Sequence, residues 1–66
     1  MQIDILLIRL AKPAQRAILN AGISTLEELS EYSEKEFSQL HGIGKNAIDI
    51  TKQVMSEHGL YFASKS

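Results

Sequence analysis

The fold is decided by residues 40–47, which read Leu40-His41-Gly42-Ile43-Gly44-Lys45-Asn46-Ala47. Two glycines flank one apolar residue, and a segment with amphipathic helical spacing follows them directly. Glycine has no Cβ, so it permits a positive φ and lets a ligand come close to the backbone. The first turn of a helix also leaves N–H groups without intrahelical acceptors, at the positive end of the helix dipole. The pattern therefore predicts a tight turn between two helices that contacts phosphate through Gly42, Gly44, Lys45 and Asn46.

The segment after the glycines is predicted to form a helix that begins at Gly44 or Lys45. Its apolar positions recur at helical spacing: Ala47, Ile48, Thr51, Val54 and Met55. Gly59 follows this stripe as a stop signal, and Leu60 is placed to pack back on Met55. The turn at residues 42–44 thus leads into the last helix of the chain.

An earlier helix and turn repeat this arrangement. Pro13 is expected at the first helical position, where its missing N–H costs nothing. The helix runs to about Ala21 with an apolar stripe of Ala14, Ala17, Ile18 and Ala21. Gly22 ends it, and Ile23 folds back on Ile18. The chain therefore contains two predicted helix–turn–helix units, with turns at residues 21–23 and 42–44.

Two short helices are predicted between these turns, each beginning with a capping box. Ser24 with Glu27, and Ser33 with Glu36, follow the pattern in which each side chain bonds the other residue's backbone N–H. The residues expected to face the core from this region and from the C-terminal segment are Leu26, Leu29, Tyr32, Phe37, Tyr61 and Phe62.

The first ten residues are the ambiguous part of the chain. Ile3, Ile5 and Leu7 alternate as in a strand, whereas Ile3, Leu7 and Leu10 lie on one helix face. A lone strand needs a partner. Residues 1–10 therefore either pack over the helical core or pair with a second copy of the chain in a homodimer. We favour packing on the core, as a helix or an extended segment.

Length and composition define the class of protein. A chain of 66 residues allows one domain, residues 1–66, with a core at 12–62 and a tail at 63–66 that should fray. The 44% of hydrophobic residues are typical of a folded domain, and the chain has no cysteine. The N-terminal run has no basic region before it and is too short for a membrane span. We expect a cytoplasmic protein without a membrane segment.

Charge is polarised along the chain. Between Glu27 and Glu36 lie five acids and one base, a net charge of −4. The rest of the chain has six bases and three acids, a net charge of +3, and this part includes the glycine turn. The overall net charge of −1 argues against a strong general nucleic-acid binder, but the positive part suits local phosphate contact.

At this point the sequence resembles a known family. The run His41-Gly42-Ile43-Gly44-Lys45-Asn46-Ala47 is similar to the helix-hairpin-helix motif of sequence-independent DNA-binding proteins. From about Leu10 to Phe62 the order of elements looks like the C-terminal domain of the bacterial RNA polymerase alpha subunit. That domain binds the DNA minor groove upstream of promoters and contacts transcription activators. The resemblance implies an all-α fold, a compact four- to five-helix bundle with two helix-hairpin-helix units.

The resemblance also implies which residues contact DNA. Gly44 and Lys45 match the family's glycine and the lysine after it, while Asn46 stands where the family has a second lysine. Ala47 stands in place of a serine that contacts phosphate. The family's minor-groove arginine falls on Pro13, and its nearby asparagine on Arg16. Lys12, Arg16 and Lys52 are expected to flank the site. Because the chain starts at Met1, we expect an isolated relative rather than the polymerase subunit.

Two classes of function remain open at this stage. The first is a DNA-binding module that binds duplex DNA weakly and without sequence preference. The alternative is a protein-interaction module that uses the acidic face between Glu27 and Glu36 or the apolar N-terminal run. Neither His41 nor His58 has an Asp or Cys at metal-ligand spacing, so no metal and no cofactor is expected. No recognisable motif places a nucleophile beside a general base, so no enzyme is expected.

Overall fold

Five helices follow one another in the computed structural model, which describes residues 2–64. They are α1 (Asp4–Leu7), α2 (Lys12–Asn20), α3 (Leu26–Leu29), α4 (Glu34–Ser38) and α5 (Lys45–Glu57). Within the described residues there is no strand, only two isolated β-bridges between single residues. The prediction of an all-α fold is confirmed at this level. The turns after α2 and after α4 fall where the glycines predict them.

The two long helices, α2 and α5, end in the same way. Gly22 follows α2 with a φ of +79°, and the N–H of Ile23 donates to the carbonyl of Ile18 over 3.3 Å. Gly59 follows α5 with a φ of +74°, and the N–H of Leu60 donates to the carbonyl of Met55 over 2.8 Å. Both are Schellman motifs, in which a left-handed glycine reverses the chain. Both predicted helix stops are confirmed.

The N-terminal run packs on the core of its own chain. Helix α1 is a single turn, and Ile3, Leu6 and Leu10 are buried. The N–H of Ile3 donates to the carbonyl of Ser24 over 3.2 Å, which ties the run to the chain before α3. The predicted helix face contained Leu7 between Ile3 and Leu10. In the structure Leu6 is the buried residue, and Leu7 is half-buried. The predicted packing on the core is confirmed, with a different residue inward.

The first capping box lies one residue later than predicted. Thr25, not Ser24, is the N-cap of α3: its side chain accepts from the N–H of Glu28, whose carboxylate accepts from the N–H of Thr25. Both Ser24 and Thr25 have a glutamate three residues later, so both fit the capping-box pattern. In the structure the carbonyl of Ser24 accepts from the N–H of Ile3, and the first intrahelical bond of α3 goes to the carbonyl of Thr25. The second box, Ser33 with Glu36 on α4, is confirmed.

The capping carboxylate of Glu28 should make stability depend on pH. Hydrogen bonds from the hydroxyl and N–H of Ser24, and then from Thr25, lower the pKa of Glu28 below its ordinary value of 4.5. A pKa that is lower in the folded state stabilises the fold above about pH 4.5 and loses this contribution as the pH falls through the folded pKa. We expect Glu28→Gln to be less stable than the unaltered chain at pH 7. This difference should shrink by pH 3, as measured by urea unfolding at both pH values. A constant difference would contradict this account of Glu28.

The core lies where α5 passes α1 and α4. Phe37 of α4 is fully buried, and its ring packs against that of Phe62 in a tilted arrangement, with the ring centroids 5.4 Å apart and the planes at 36°. Tyr61, predicted to face the core beside Phe62, is instead 70% exposed. The Schellman turn before it accounts for this difference, because Leu60 folds back on α5 and the chain then turns Phe62 inward and Tyr61 outward. The prediction that Tyr61 anchors the core is wrong.

A backbone hydrogen bond ties Ala63, near the C-terminus, to the chain before α4. The N–H of Ala63 donates to the carbonyl of Tyr32 over 2.8 Å, beside a parallel bridge between Ala63 and Ser33. This contact fixes the first residue of the segment predicted to fray. The last two residues of that predicted tail, 65 and 66, lie outside the described residues.

Among residues 2–64, one buried side-chain oxygen in the core has no hydrogen-bond partner. The side-chain oxygen of Thr51, in the middle of α5, is fully buried and makes no hydrogen bond with any described residue. A buried hydroxyl without a partner costs about 1–3 kcal/mol, and an apolar group of the same shape avoids that cost. We expect Thr51→Val to raise the free energy of unfolding by about 1 kcal/mol. Urea unfolding of both proteins tests this, and a less stable valine variant would show that the hydroxyl is satisfied.

Candidate nucleic-acid interface

The glycine turn between α4 and α5 is a tight β-turn. The N–H of Ile43 donates to the carbonyl of Leu40 over 3.1 Å, so Gly42 is the third residue of the turn. Gly42 has a φ of +98°. A type II turn requires a positive φ at this third position, which is why glycine is preferred there. The turn conformation predicted from the two glycines is therefore present, and Gly42 is the residue that adopts it.

Gly42 also packs directly on the first turn of α2. A Cβ on Gly42 would lie 2.6 Å from the carbonyl oxygen of Pro13 and 3.5 Å from the Cβ of Ala17. The close approach that glycine permits is therefore made by the protein's own backbone. This contact joins the two helix–turn–helix units, and it places the N-terminal end of α2, with Lys12 and Arg16, beside the turn.

Gly44 plays a different part from Gly42. It is the N-cap of α5 with a φ of −107°, a value that any residue adopts, and a Cβ there would meet no atom of the described residues within 4 Å. The position is exposed, carries no capping side chain, and is followed by a first turn without an acidic residue. The first N–H groups of α5, which include those of Lys45 and Asn46, have no intrahelical acceptor. By contrast, a carboxylate and a hydroxyl cap the first turn of both α3 and α4.

Three predicted cations lie near this turn with their charges available. Lys12, Arg16 and Lys45 are exposed, and no ion pair within residues 2–64 involves any of them. Lys12 and Arg16 lie on the first two turns of α2, whereas Lys45 opens α5. Because these helices meet at Gly42, positive charge from two separate parts of the sequence gathers around one turn.

Lys52 is not part of this group. Its ammonium lies 2.6 Å from a carboxylate oxygen of Glu34 on α4, and this hydrogen bond raises the pKa of Lys52 above its ordinary value. Lys52 lines a separate groove near the C-terminal segment, with Met55, Leu60 and Phe62 among its neighbours. The structure therefore places six of the seven predicted site residues around the turn and the seventh in an ion pair further along α5.

Two grooves border the turn, and Pro13 and Gly42 line both of them. One groove, of about 470 Å³, is lined by Pro13, Arg16, Ala17, Asn20, Ala21, Leu40, His41 and Gly42. The other, of about 330 Å³, is lined by Leu10, Ala11, Pro13, Ala14, Gly42, Gly44, Asn46, Ala47 and Ile50. No acidic residue is found among these described lining residues. Two open grooves without a carboxylate suit an anionic ligand that crosses the ridge between them.

Two residues of the first groove were missed by the sequence patterns. Asn20 lies one turn after Arg16 on α2, and His41 precedes Gly42 in the turn. The spacing of four residues between Arg16 and Asn20 places them on one helix face, a signal present in the sequence. His41 joins them only through the packing of the turn on α2, which the sequence does not reveal.

Comparisons with known proteins do not place the chain in a family. No protein-family model matches the chain, and no curated protein or solved structure matches it either. Within residues 2–64 no three His, Cys, Asp or Glu side chains are grouped so that they could hold a metal ion. None of the helices in that part of the chain has the length and apolar character needed to cross a membrane.

Proposed function

We propose that this protein is a small non-enzymatic module that binds duplex DNA through its phosphate backbone. The observation that carries the proposal is the convergence at Gly42 of two helix N-termini and three cations that form no ion pair within residues 2–64. Lys12 and Arg16 come from α2, and Lys45 from α5. Phosphate is the ligand that such an arrangement favours, because backbone N–H groups, the helix dipole and cationic side chains all attract it.

The mechanism of binding is electrostatic and local. A phosphate oxygen accepts hydrogen bonds from the first N–H groups of α5, and the ammonium of Lys45 and the amide of Asn46 approach from the side. The uncapped position of Gly44 leaves room for that oxygen, since a Cβ built there would meet no atom of residues 2–64 within 4 Å. Contacts to phosphate carry no sequence information, so binding is expected to be weak, sensitive to salt and independent of sequence.

The resemblance to helix-hairpin-helix proteins supports this proposal, and the differences from the polymerase domain limit it. Asn46 can still donate a hydrogen bond where the family has lysine, but Ala47 offers no hydroxyl. Pro13, at the position of the family's minor-groove arginine, packs against Gly42 rather than presenting a charge. Backbone contact, without recognition of bases in the minor groove, is therefore the form of DNA binding that we propose.

Fluorescence anisotropy with labelled duplexes tests the proposal. Two duplexes of equal length and different sequence should bind with similar affinity at 20 mM salt. The logarithm of the affinity should fall linearly with the logarithm of the salt concentration, with a slope of about −0.9 for each phosphate contacted. Absence of binding to either duplex at low salt would reject the proposal.

The alternative, a protein-interaction module, has less free surface than the sequence indicates. Ile3, Leu6 and Leu10 of the N-terminal run are buried in the chain itself. In the acidic stretch, the carboxylate of Glu28 accepts from the N–H of Thr25 at the start of α3, and Glu34 pairs with Lys52. A pull-down that recovers a partner in the presence of nuclease, together with absence of DNA binding, would favour this alternative.

A further inference from the structure

The groove along the C-terminal half of α5, here called the C-terminal groove, has no part in the proposed function. It has a volume of about 410 Å³, and its apolar surface is formed by Met55 on α5 and by Leu60 and Phe62 after the Schellman turn. Met55 is fully buried, whereas Leu60 and Phe62 are half-buried. No residue of this groove lines either of the grooves beside the glycine turn. The C-terminal groove is therefore a separate surface, with an occupant of its own.

An aromatic side chain projects from the edge of the C-terminal groove. Tyr61 lines the groove and is 70% exposed. Among the other large hydrophobic side chains of residues 2–64, only Ile8 and Leu19 are exposed, and neither lines this groove. Tyrosine is enriched in protein interfaces, where its ring is buried and its hydroxyl stays near water. The same patch thus combines a projecting ring with a groove whose volume lies in the range of ligand pockets and can receive such a ring.

The polar edge of the C-terminal groove carries both signs of charge. The ammonium of Lys52 lies 2.6 Å from a carboxylate oxygen of Glu34 on α4, and each side chain is about half exposed, 49% for Lys52 and 51% for Glu34. A single pair this exposed adds little to stability, and both charges stay accessible to a partner. A two-fold axis beside the pair sets Lys52 of each copy opposite Glu34 of the other. The four charges then alternate in sign across the interface.

We infer that the C-terminal groove is the interface of a symmetric homodimer, in which Tyr61 of each copy enters the groove of the other. A two-fold interface uses the same surface of both copies, so that surface must carry both halves of every contact. This patch does so, since it holds a ring beside a groove and the ammonium of Lys52 beside the carboxylate of Glu34. Such self-complementarity favours a second copy of the chain over an unrelated partner.

The expected dimer is weak and depends on protein concentration. The groove is lined by seven residues of each copy, whereas a standard interface has about 20–30 residues on each side. In sedimentation equilibrium without DNA, the average mass should therefore rise from that of one chain toward that of two only as the protein approaches millimolar concentration. An unaltered chain that remains a monomer at millimolar concentration would overturn the inference.

The role of Tyr61 is tested by a pair of serine variants. Tyr61→Ser should remain a monomer over the same concentrations, because the ring that fills the groove is lost. Since Tyr61 is exposed, this variant should fold normally, which circular dichroism checks. Leu19→Ser is the matched control: it removes an exposed apolar side chain of α2 outside the groove and should dimerise like the unaltered chain. Equal behaviour of the two variants would overturn the inference.

Mixing two charge-reversal variants tests the two-fold arrangement. Lys52→Glu and Glu34→Lys should each dimerise less than the unaltered chain, because like charges then face each other twice across the axis. Their equimolar mixture should form a heterodimer, since every glutamate then faces a lysine. A mixture of Lys12→Glu and Glu31→Lys, which alters the same net charges at exposed positions outside the groove, is the control. If the first mixture associates no more strongly than the control mixture, the inference is overturned.

Discussion

The Gly42→Ala variant is expected to lose about 3 kcal/mol of unfolding free energy, which would leave a domain of this size barely folded. Two costs add up at this position. An alanine with a φ of +98° is in the left-handed region, which costs about 1–2 kcal/mol. Its Cβ would also lie 2.6 Å from the carbonyl oxygen of Pro13, so the turn must move off α2. Overpacking of this kind costs about 1–3 kcal/mol.

The other three glycines supply matched controls for this result. Gly22 and Gly59 also have a positive φ, but a Cβ at either position would contact no described atom within 4 Å. Gly22→Ala and Gly59→Ala should therefore each lower the free energy of unfolding by only about 1 kcal/mol. Gly44→Ser meets neither cost and adds a capping hydroxyl, so it should be as stable as the unaltered chain or a few tenths of a kcal/mol more stable. Urea unfolding of the four variants gives the order. A Gly42→Ala variant no worse than Gly22→Ala would contradict the packing of the turn on α2.

The Lys45→Glu variant should separate binding from stability. At the start of α5 a glutamate interacts favourably with the helix dipole, so the fold should become slightly more stable, by about 0.3–1 kcal/mol. Binding should weaken because the attraction between Lys45 and a phosphate becomes a repulsion. Loss of the attraction and gain of the repulsion each cost about 1 kcal/mol in water, so the affinity should fall roughly thirtyfold.

Lys35→Glu is the control for this charge reversal, since it changes the net charge of the protein equally from an exposed position on α4. It should weaken binding only slightly, because Lys35 lines neither groove beside the turn. Anisotropy titrations at one low salt concentration compare the two variants. Equal losses of affinity would mean that DNA responds only to the overall charge, which would contradict a site at the start of α5.

The sequence predicts local structure well where a single residue determines it. Gly22 and Gly59 each require a left-handed turn, and the apolar residue after each packs back on its helix, so both stops can be predicted from the chain alone. The start of α3 cannot, because Ser24 and Thr25 both fit a capping box. In the structure Thr25 is the N-cap, and the Ser24 carbonyl accepts from the N–H of Ile3.

In the candidate site, too, the sequence predicts some features, while others depend on tertiary contacts. The turn at residues 42–44 and the cation after it are predictable from the chemistry of glycine and of helix N-termini. The sequence does not show that Gly42 packs on Pro13, because residues 29 positions apart meet only through the fold. The contact with Pro13 is a structural reason for a glycine at position 42. It also brings His41 into the same groove as Arg16. Lys52 is expected from the sequence to flank the site, but in the structure it pairs with Glu34. This pairing depends on how α4 and α5 pack, which the sequence does not show.

An NMR titration of the ¹⁵N-labelled protein with duplex DNA at low salt tests the central claim most directly. If the turn contacts the phosphate backbone, the amide signals of Gly44, Lys45 and Asn46 should shift progressively with added DNA. These shifts should diminish at 200 mM salt and should be lost in Lys45→Glu. Signals of the acidic helix α3 (Leu26–Leu29) should stay in place. Unmoved signals at Gly44–Asn46, or shifts confined to α3, would contradict the account.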